Sequence, residues 1–513
     1  MRPPDRISPP AADTHTRRTL SSVVWSFSRV FGQMVLTITV NVVLLRLLAP
    51  ADFGLLTSLL VLVGFADLVA SLGMGPALTQ RPVLTEVHLR VATTLSLLTG
   101  TALTAGLMLV APLVADYFSE PGLIDPLRVL AIGLWFTALA APSRGLLVRA
   151  MNFRRLLVIE LGSYFVGFAG VGITLAWLGY GVWSLVIGSL VTLLLNALAL
   201  ILSSPLTLPL SLARRETREL LGFGTGISVN SVTNYLAANV DYLVIGRFLG
   251  ATPLGLYACA YRLIALPVTK IAATLSSAMF PSFAEIQAQQ ERLARAYLRA
   301  VSATSLATFP VLIGCIVAAE PIIVGLYGPT WSGASVAFQI LSIAGMCKAV
   351  FHLAGPLSQA SGRVYSEVWR QILYLAILAA LCLLAVDWGI EAIAWAVVVG
   401  SLWMYLAMAH LALSVVGASW REYFFAQRPG LFLGLLVALV EAAFIGLDTR
   451  LLGLAPSALL ACLVTISALT VVVAILWLPR GLVGDFPSWI FARYQDRLPA
   501  KLGAWLGRRL GEY

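Results

Sequence analysis

Apolar residues run along this chain in long blocks, not at alternate positions and not on one stripe of a helix. From about residue 20 to about residue 478, stretches of 20 or more mostly apolar residues follow one another, separated by short polar connections. Each is long enough to cross a hydrocarbon layer of ~30 Å as an α-helix. Leu, Ala and Val dominate, and the period-two alternation of barrel strands is absent, so the pattern predicts helices. Segmenting it gives about fourteen spans.

Composition agrees with this reading. The chain has 513 residues, 59% of them hydrophobic and 11% charged, against about 25% charged in soluble domains. The expected fold class is therefore an all-α polytopic membrane protein. No connection is long enough to hold a soluble catalytic domain. The five cysteines (Cys259, Cys315, Cys347, Cys382, Cys462) all fall in apolar blocks without metal-type spacing, which predicts small buried hydrophobes, no metal site and no cofactor.

Charge placement orients the spans. Of 34 Lys and Arg, four lie inside spans and four (Arg46, Arg128, Arg247, Arg450) in one set of loops. The other 26 lie in the alternate loops and the two tails. By the positive-inside rule the rich side is cytoplasmic, and an even number of spans puts both termini there. The scattering of the net charge of +10 over short loops argues against a nucleic-acid partner. The tail 479–513 mixes aromatic and basic residues, which suits a helix lying on the cytoplasmic leaflet or a loosely ordered basic tail.

One phrase occurs twice. "RLLAPADFGL" (46–55) aligns with "RFLGATPLGL" (247–256) at an offset of 201, matching Arg46 to Arg247, Leu48 to Leu249, Gly54 to Gly255 and Leu55 to Leu256. Both copies join an odd span to an even one, six spans apart, so the two halves share one orientation. That predicts parallel repeats, an arrangement found among secondary transporters. The resulting expectation is two six-helix repeats forming two lobes around a central cavity, with two extra C-terminal helices. The boundaries are a tail 1–20, a first lobe 21–203, a linker 204–218, a second lobe 219–415, the added helices 429–478 and the basic tail 479–513.

The stretch "NVDYLVIGRFLGATPLGLYACAYRL", followed by "MFPSFAEIQ", resembles the second-half signature of Wzx-type polysaccharide flippases. These belong to the multidrug/oligosaccharidyl-lipid/polysaccharide exporter superfamily. "LLRLLAPADFGLLTSLLVLVGFADLVASLGMGPALTQR" agrees in the first half, and the similarity covers roughly residues 20 to 480. It implies a bacterial inner-membrane flippase, not an enzyme, that carries a polyprenyl-pyrophosphate-linked oligosaccharide outward. Membrane lipids and polysaccharide polymerase machinery are its implied partners.

The cations inside spans are Arg29, Arg262, Lys270 and Lys348. Each costs roughly 2.5–3.5 kcal/mol at the centre of a bilayer, so each needs a partner or a wet cavity. Arg262 and Lys270 stand about 80° apart around one helix and ~12 Å apart along it, so they can line a cavity at two depths. Clustered cations at mid-membrane suit a pyrophosphate through charge-assisted hydrogen bonds. The competing reading is internal pairing, with Asp67 facing Arg29, and Asp67 is also a candidate for ion coupling. Two other functions stand beside the flippase. A drug/cation antiporter would want acidic cavities. A membrane-embedded polymerase or glycosyltransferase would usually want a large external loop. "GFGTG" (222–226) lacks the strand and spacing of a nucleotide loop and reads as a flexible entry to a span.

Overall fold

The computed structural model describes residues 32–71, 85–204, 211–266 and 289–477, with isolated positions from 268 to 287 and at 479 and 482. Among the described residues the structure is helical, with no strand. In chain order the first helices are α1 (Gly32–Leu47), α2 (Pro50–Ser71), α3 (Glu86–Phe118), α4 (Ile124–Arg149), α5 (Phe153–Trp177) and α6 (Val182–Ser203). Next come α7 (Arg214–Phe248), α8 (Ala251–Leu266), α9 (Gln290–Val317), α10 (Ala319–Tyr327), α11 (Ser335–Phe351) and α12 (Ala354–Ala360). The last four are α13 (Val364–Ala385), α14 (Gly389–Val416), α15 (Trp420–Leu447) and α16 (Pro456–Trp477).

Among the described residues, ten helical stretches are long and apolar enough to cross a membrane, with α13 and α14 counted together as the 52-residue stretch Tyr365–Val416. A short turn at Val386–Trp388 and Gly389, at φ 86°, divide that stretch in two. Helices α1, α7 and α8 fall outside the ten. Helix α7 carries Asn234, Asn239, Asp241 and Arg247 along its length, and so many polar groups need a protein-facing or wet side. The "GFGTG" stretch lies within α7 and is helical.

Local chemistry sets several ends. Thr85 caps α3 through a reciprocal pair of bonds with His88, and Ser419 caps α15 through Glu422 in the same way. Gly417, in the left-handed region at φ 72°, closes α14. Leu109, Leu113, Leu202 and Leu439 point outward from their helices, as residues facing lipid would. Exposed Trp177, Tyr180, Trp388 and Trp477 sit at helix ends, where amphipathic rings meet headgroups.

The chain forms two compact units, Met1–Gly255 and Leu256–Tyr513. In the first, α4 packs along α3 and α6, while α2 and α3 each pack against α7. Its core gathers Leu59, Ala111, Ala115, Phe118, Leu127 and Val186. The alanines matter because lipid is as apolar as leucine, so close backbone approach, not escape from water, holds such helices together. In the second unit, α9 runs along α15, α11 packs on α9 and α14, and α10 packs on α16. Tyr297 and Tyr423 stack at 6.4 Å, and Gln427 Nε2 donates to Tyr405 Oη at 2.8 Å. These contacts tie α15 to α9 and α14, so the C-terminal helices share the core of the second unit.

The repeated phrase meets its own copy inside the first unit. A Cβ on Gly54 would overlap the carbonyl of Ala251, and a Cβ on Gly255 would overlap the carbonyl of Pro50. Pro50 and Ala251 are themselves related by the offset of 201. The contact is therefore reciprocal, as it would be across a pseudo-two-fold axis.

Candidate functional site

Of the five residues singled out from sequence, Arg29 and Lys270 lie outside the described residues. Asp67, on α2, is exposed, and Thr137 Oγ1 of α4 donates to its Oδ1 at 3.3 Å. Thr137 lies 70 positions away, and its apolar flanks gave no sign of this role. Three positions before Asp67, Gly64 lies beneath Tyr235 of α7. The Tyr235 hydroxyl donates to the Val61 carbonyl at 2.8 Å, so Asp67 sits about one turn from the α2–α7 contact.

Arg262 and Lys348 are both half-buried. Lys348 Nζ of α11 donates to Tyr261 Oη of α8 at 2.6 Å and also lies 4.7 Å from the centre of that ring. The phenol therefore holds the ammonium by its oxygen, in a charge-assisted hydrogen bond. Tyr261 immediately precedes Arg262, so the structure brings the Lys348 ammonium to the turn of α8 that carries Arg262. Sequence reading missed Tyr261, since an aromatic in a span is ordinarily read as packing. His352, one turn beyond Lys348, packs its ring 4.8 Å from that of Phe351.

The hairpin charges divide. Arg247 donates to the carbonyls of Asp116 and Tyr117 at 3.1 and 2.6 Å and to Ser119 Oγ at 2.8 Å. It therefore caps the C-terminus of α3, where orphan carbonyls and the helix dipole favour a cation. Asp241 lies toward the end of α7, where its position along the chain would let water or headgroups solvate it. It is 2% exposed, and Oδ1 accepts from the Tyr242 amide at 3.0 Å. Its position along the helix fixed a depth but not a facing. Glu160 pairs with Arg144 at 2.8 Å.

Residues 43–336, more than half the chain, match the family model described as "Polysaccharide biosynthesis protein". The chain belongs to this family. It is 27% identical over 355 residues to the lipopolysaccharide biosynthesis protein WzxC of Escherichia coli (strain K12), covering 68% of this chain and 71% of that one. It is 25% identical over 437 residues to the succinoglycan biosynthesis transport protein ExoT of Rhizobium meliloti (strain 1021), covering 82% and 85%. Among solved structures it resembles the lipid II flippase MurJ in an inward closed conformation. The TM-score there is 0.71 at 14% identity, covering 93% of this chain and all of the other. An inward-facing multidrug transporter of the MATE family matches at 0.58 and 15% identity, covering 75% and 96%. At such identities these two likenesses establish the fold, that of multi-pass membrane transporters. As a member of the polysaccharide biosynthesis family, the chain is a multi-pass membrane protein.

Proposed function

We propose that this protein is a flippase of the bacterial inner membrane. It moves a polyprenyl-pyrophosphate-linked oligosaccharide from the cytoplasmic to the outer leaflet by alternating access. The reading includes fourteen crossings with both termini cytoplasmic, twelve of them in two parallel repeats, with α15 and α16 added. The observation that carries it is the Lys348–Tyr261 pair: an ammonium, half-buried within a span, held by a phenol one residue from Arg262. Two cations on adjoining helices at one level suit a diphosphate, which accepts several charge-assisted hydrogen bonds at once. Relatives named for lipopolysaccharide biosynthesis and succinoglycan transport support the cargo class. Arg29 and Lys270 belong to the same proposed site on sequence grounds, and Asp67 is assigned to ion coupling or internal pairing.

The test is deletion of the gene, followed by chemical analysis of lipid-linked glycan in each leaflet of the inner membrane. The expected outcome is accumulation on the cytoplasmic leaflet, restored to outward export by the wild-type gene. An unchanged leaflet distribution would sink the reading.

A further inference from the structure

A carboxyl group outside the repeats belongs to none of this chemistry. Glu441, on α15, is 5% exposed and lies within a span. Its Oε1 lies 2.5 Å from Ser467 Oγ of α16, and the same Oγ lies 2.7 Å from the Leu463 carbonyl. A serine hydroxyl has one proton and so can donate to only one of these two oxygens at full strength. The carbonyl has no proton to give. Both bonds form in full when Ser467 donates to Leu463 and Glu441 donates to Ser467, which requires the carboxyl to be in its acid form.

The surroundings agree. Among the described residues Glu441 Oε2 is buried with no hydrogen-bond partner, a severe cost for an anion in an apolar medium and a small one for a neutral acid. Among the described residues no ion pair involves Glu441. From α9, the Cys315 thiol is the titratable group facing it. Just past the end of its own helix the next is Asp448, which accepts from the Leu454 amide at 2.9 Å. On α16, Cys462 lies five positions before Ser467. An apolar cluster of Ala318, Leu459 and Leu463, joined by Phe444, borders the site.

The carboxyl has room because of Gly314. A Cβ there would lie 3.0 Å from Oε1 and 3.3 Å from Oε2, so α9 closes over the acid with bare backbone. Pro310, four residues earlier inside the same helix, removes a backbone donor and supplies a place to bend. We propose that Glu441 is a proton-binding site, loaded in this conformation, whose proton leaves when α9 bends at Pro310 and lifts Gly314 from the carboxyl. On opening, Glu441 passes its proton to entering water, and the Ser467 hydroxyl turns to donate to the resulting carboxylate. On closing, the acid is reloaded from water on the opposite side of the membrane, so each cycle carries one proton across.

Two measurements on the full-length protein in lipid bilayers test this. The first is the infrared difference between wild type and Glu441→Gln at neutral pH, which involves no cargo. The expected result is a carbonyl stretch of a buried carboxylic acid in the wild type that the variant lacks; a carboxylate signal alone overturns the proposal. If Glu441→Gln does not accumulate, Ser467→Ala replaces it, and the acid band should move to the position of a carboxyl that donates to nothing. An unmoved band overturns the assignment of the bond. The second is outward movement of a polyprenyl-pyrophosphate-linked glycan under an imposed proton gradient, and this arm rests on the flippase reading. The wild-type rate should change several-fold with the gradient, whereas Glu441→Gln should not respond. Equal responses would overturn the coupling while leaving the flippase itself standing. Absence of any movement by the wild type would instead fail the flippase reading, with the infrared result still deciding the proton site.

Discussion

The Tyr261–Lys348 contact joins positions 87 residues apart, and its two components can be separated by mutation. Tyr261→Phe keeps the ring and removes the oxygen, a bond to a charged group worth about 2 kcal/mol. Export by this variant should fall several-fold while the protein stays folded. Lys348→Met keeps the bulk and removes the charge; glycan at the surface should fall to the level of the deletion strain at matched protein abundance. Full export by Lys348→Met would remove this residue from the proposed diphosphate site. Arg247 is a different case, because its partners are backbone carbonyls at the end of α3. Arg247→Ala should lower thermal stability in detergent by about 1 kcal/mol, with Arg247→Lys recovering part of it. How much of this the sequence disclosed follows from what sets each feature. A charge within an apolar block is visible because the bilayer penalises it wherever it points. Its partner is not visible, since Tyr261 and Thr137 have other ordinary uses in spans. The facing of Asp241 was illegible for the same reason.

At the scale of elements, the glycine pair is the feature that both sequence and packing define. Gly54 and Gly255 occupy equivalent places in the repeated phrase, and each lies against the carbonyl at the place equivalent to the other's neighbour. Any side chain at either position must push backbone aside, since a carbonyl cannot change rotamer as a side-chain end can. Gly54→Ala and Gly255→Ala should each destabilise the protein by about 1–3 kcal/mol, read as lower thermal stability and lower yield in the membrane. Because the contact is reciprocal, the two losses should be similar. A large loss from one and none from the other would count against the two-fold relation. Helices α7 and α8 show the limit of hydropathy at this scale. The sequence places both through the repeated hairpin between them, while neither meets the length and hydropathy of a lipid-facing span. A helix that buries Asp241 against protein is hidden from a measure that assumes lipid on every side.

At the scale of the whole molecule, the strongest signal in the sequence is the division of basic residues, 26 on one side of the proposed membrane against four on the other. Translocating Lys or Arg is costly and the membrane potential opposes it, so this bias sets orientation as the chain inserts. The described helices add an independent handle. Gly250, at φ 86°, turns the chain between α7 and α8, and Gln290 begins α9 after α8 and the segment that follows it. If α7 and α8 both cross, these two points lie on opposite faces of the membrane. A reporter active only outside the cytoplasm, fused after residue 250, should therefore be active, and one fused after residue 290 should be silent. Single cysteines introduced at the same places in an otherwise cysteine-free chain should give the matching pattern with an impermeant thiol reagent applied from outside. Reversal of both readouts would overturn the orientation and the direction of transport with it. Activity at both points would mean that α8 and the segment after it do not cross, which would dissolve the six-helix repeat while leaving the helices in place.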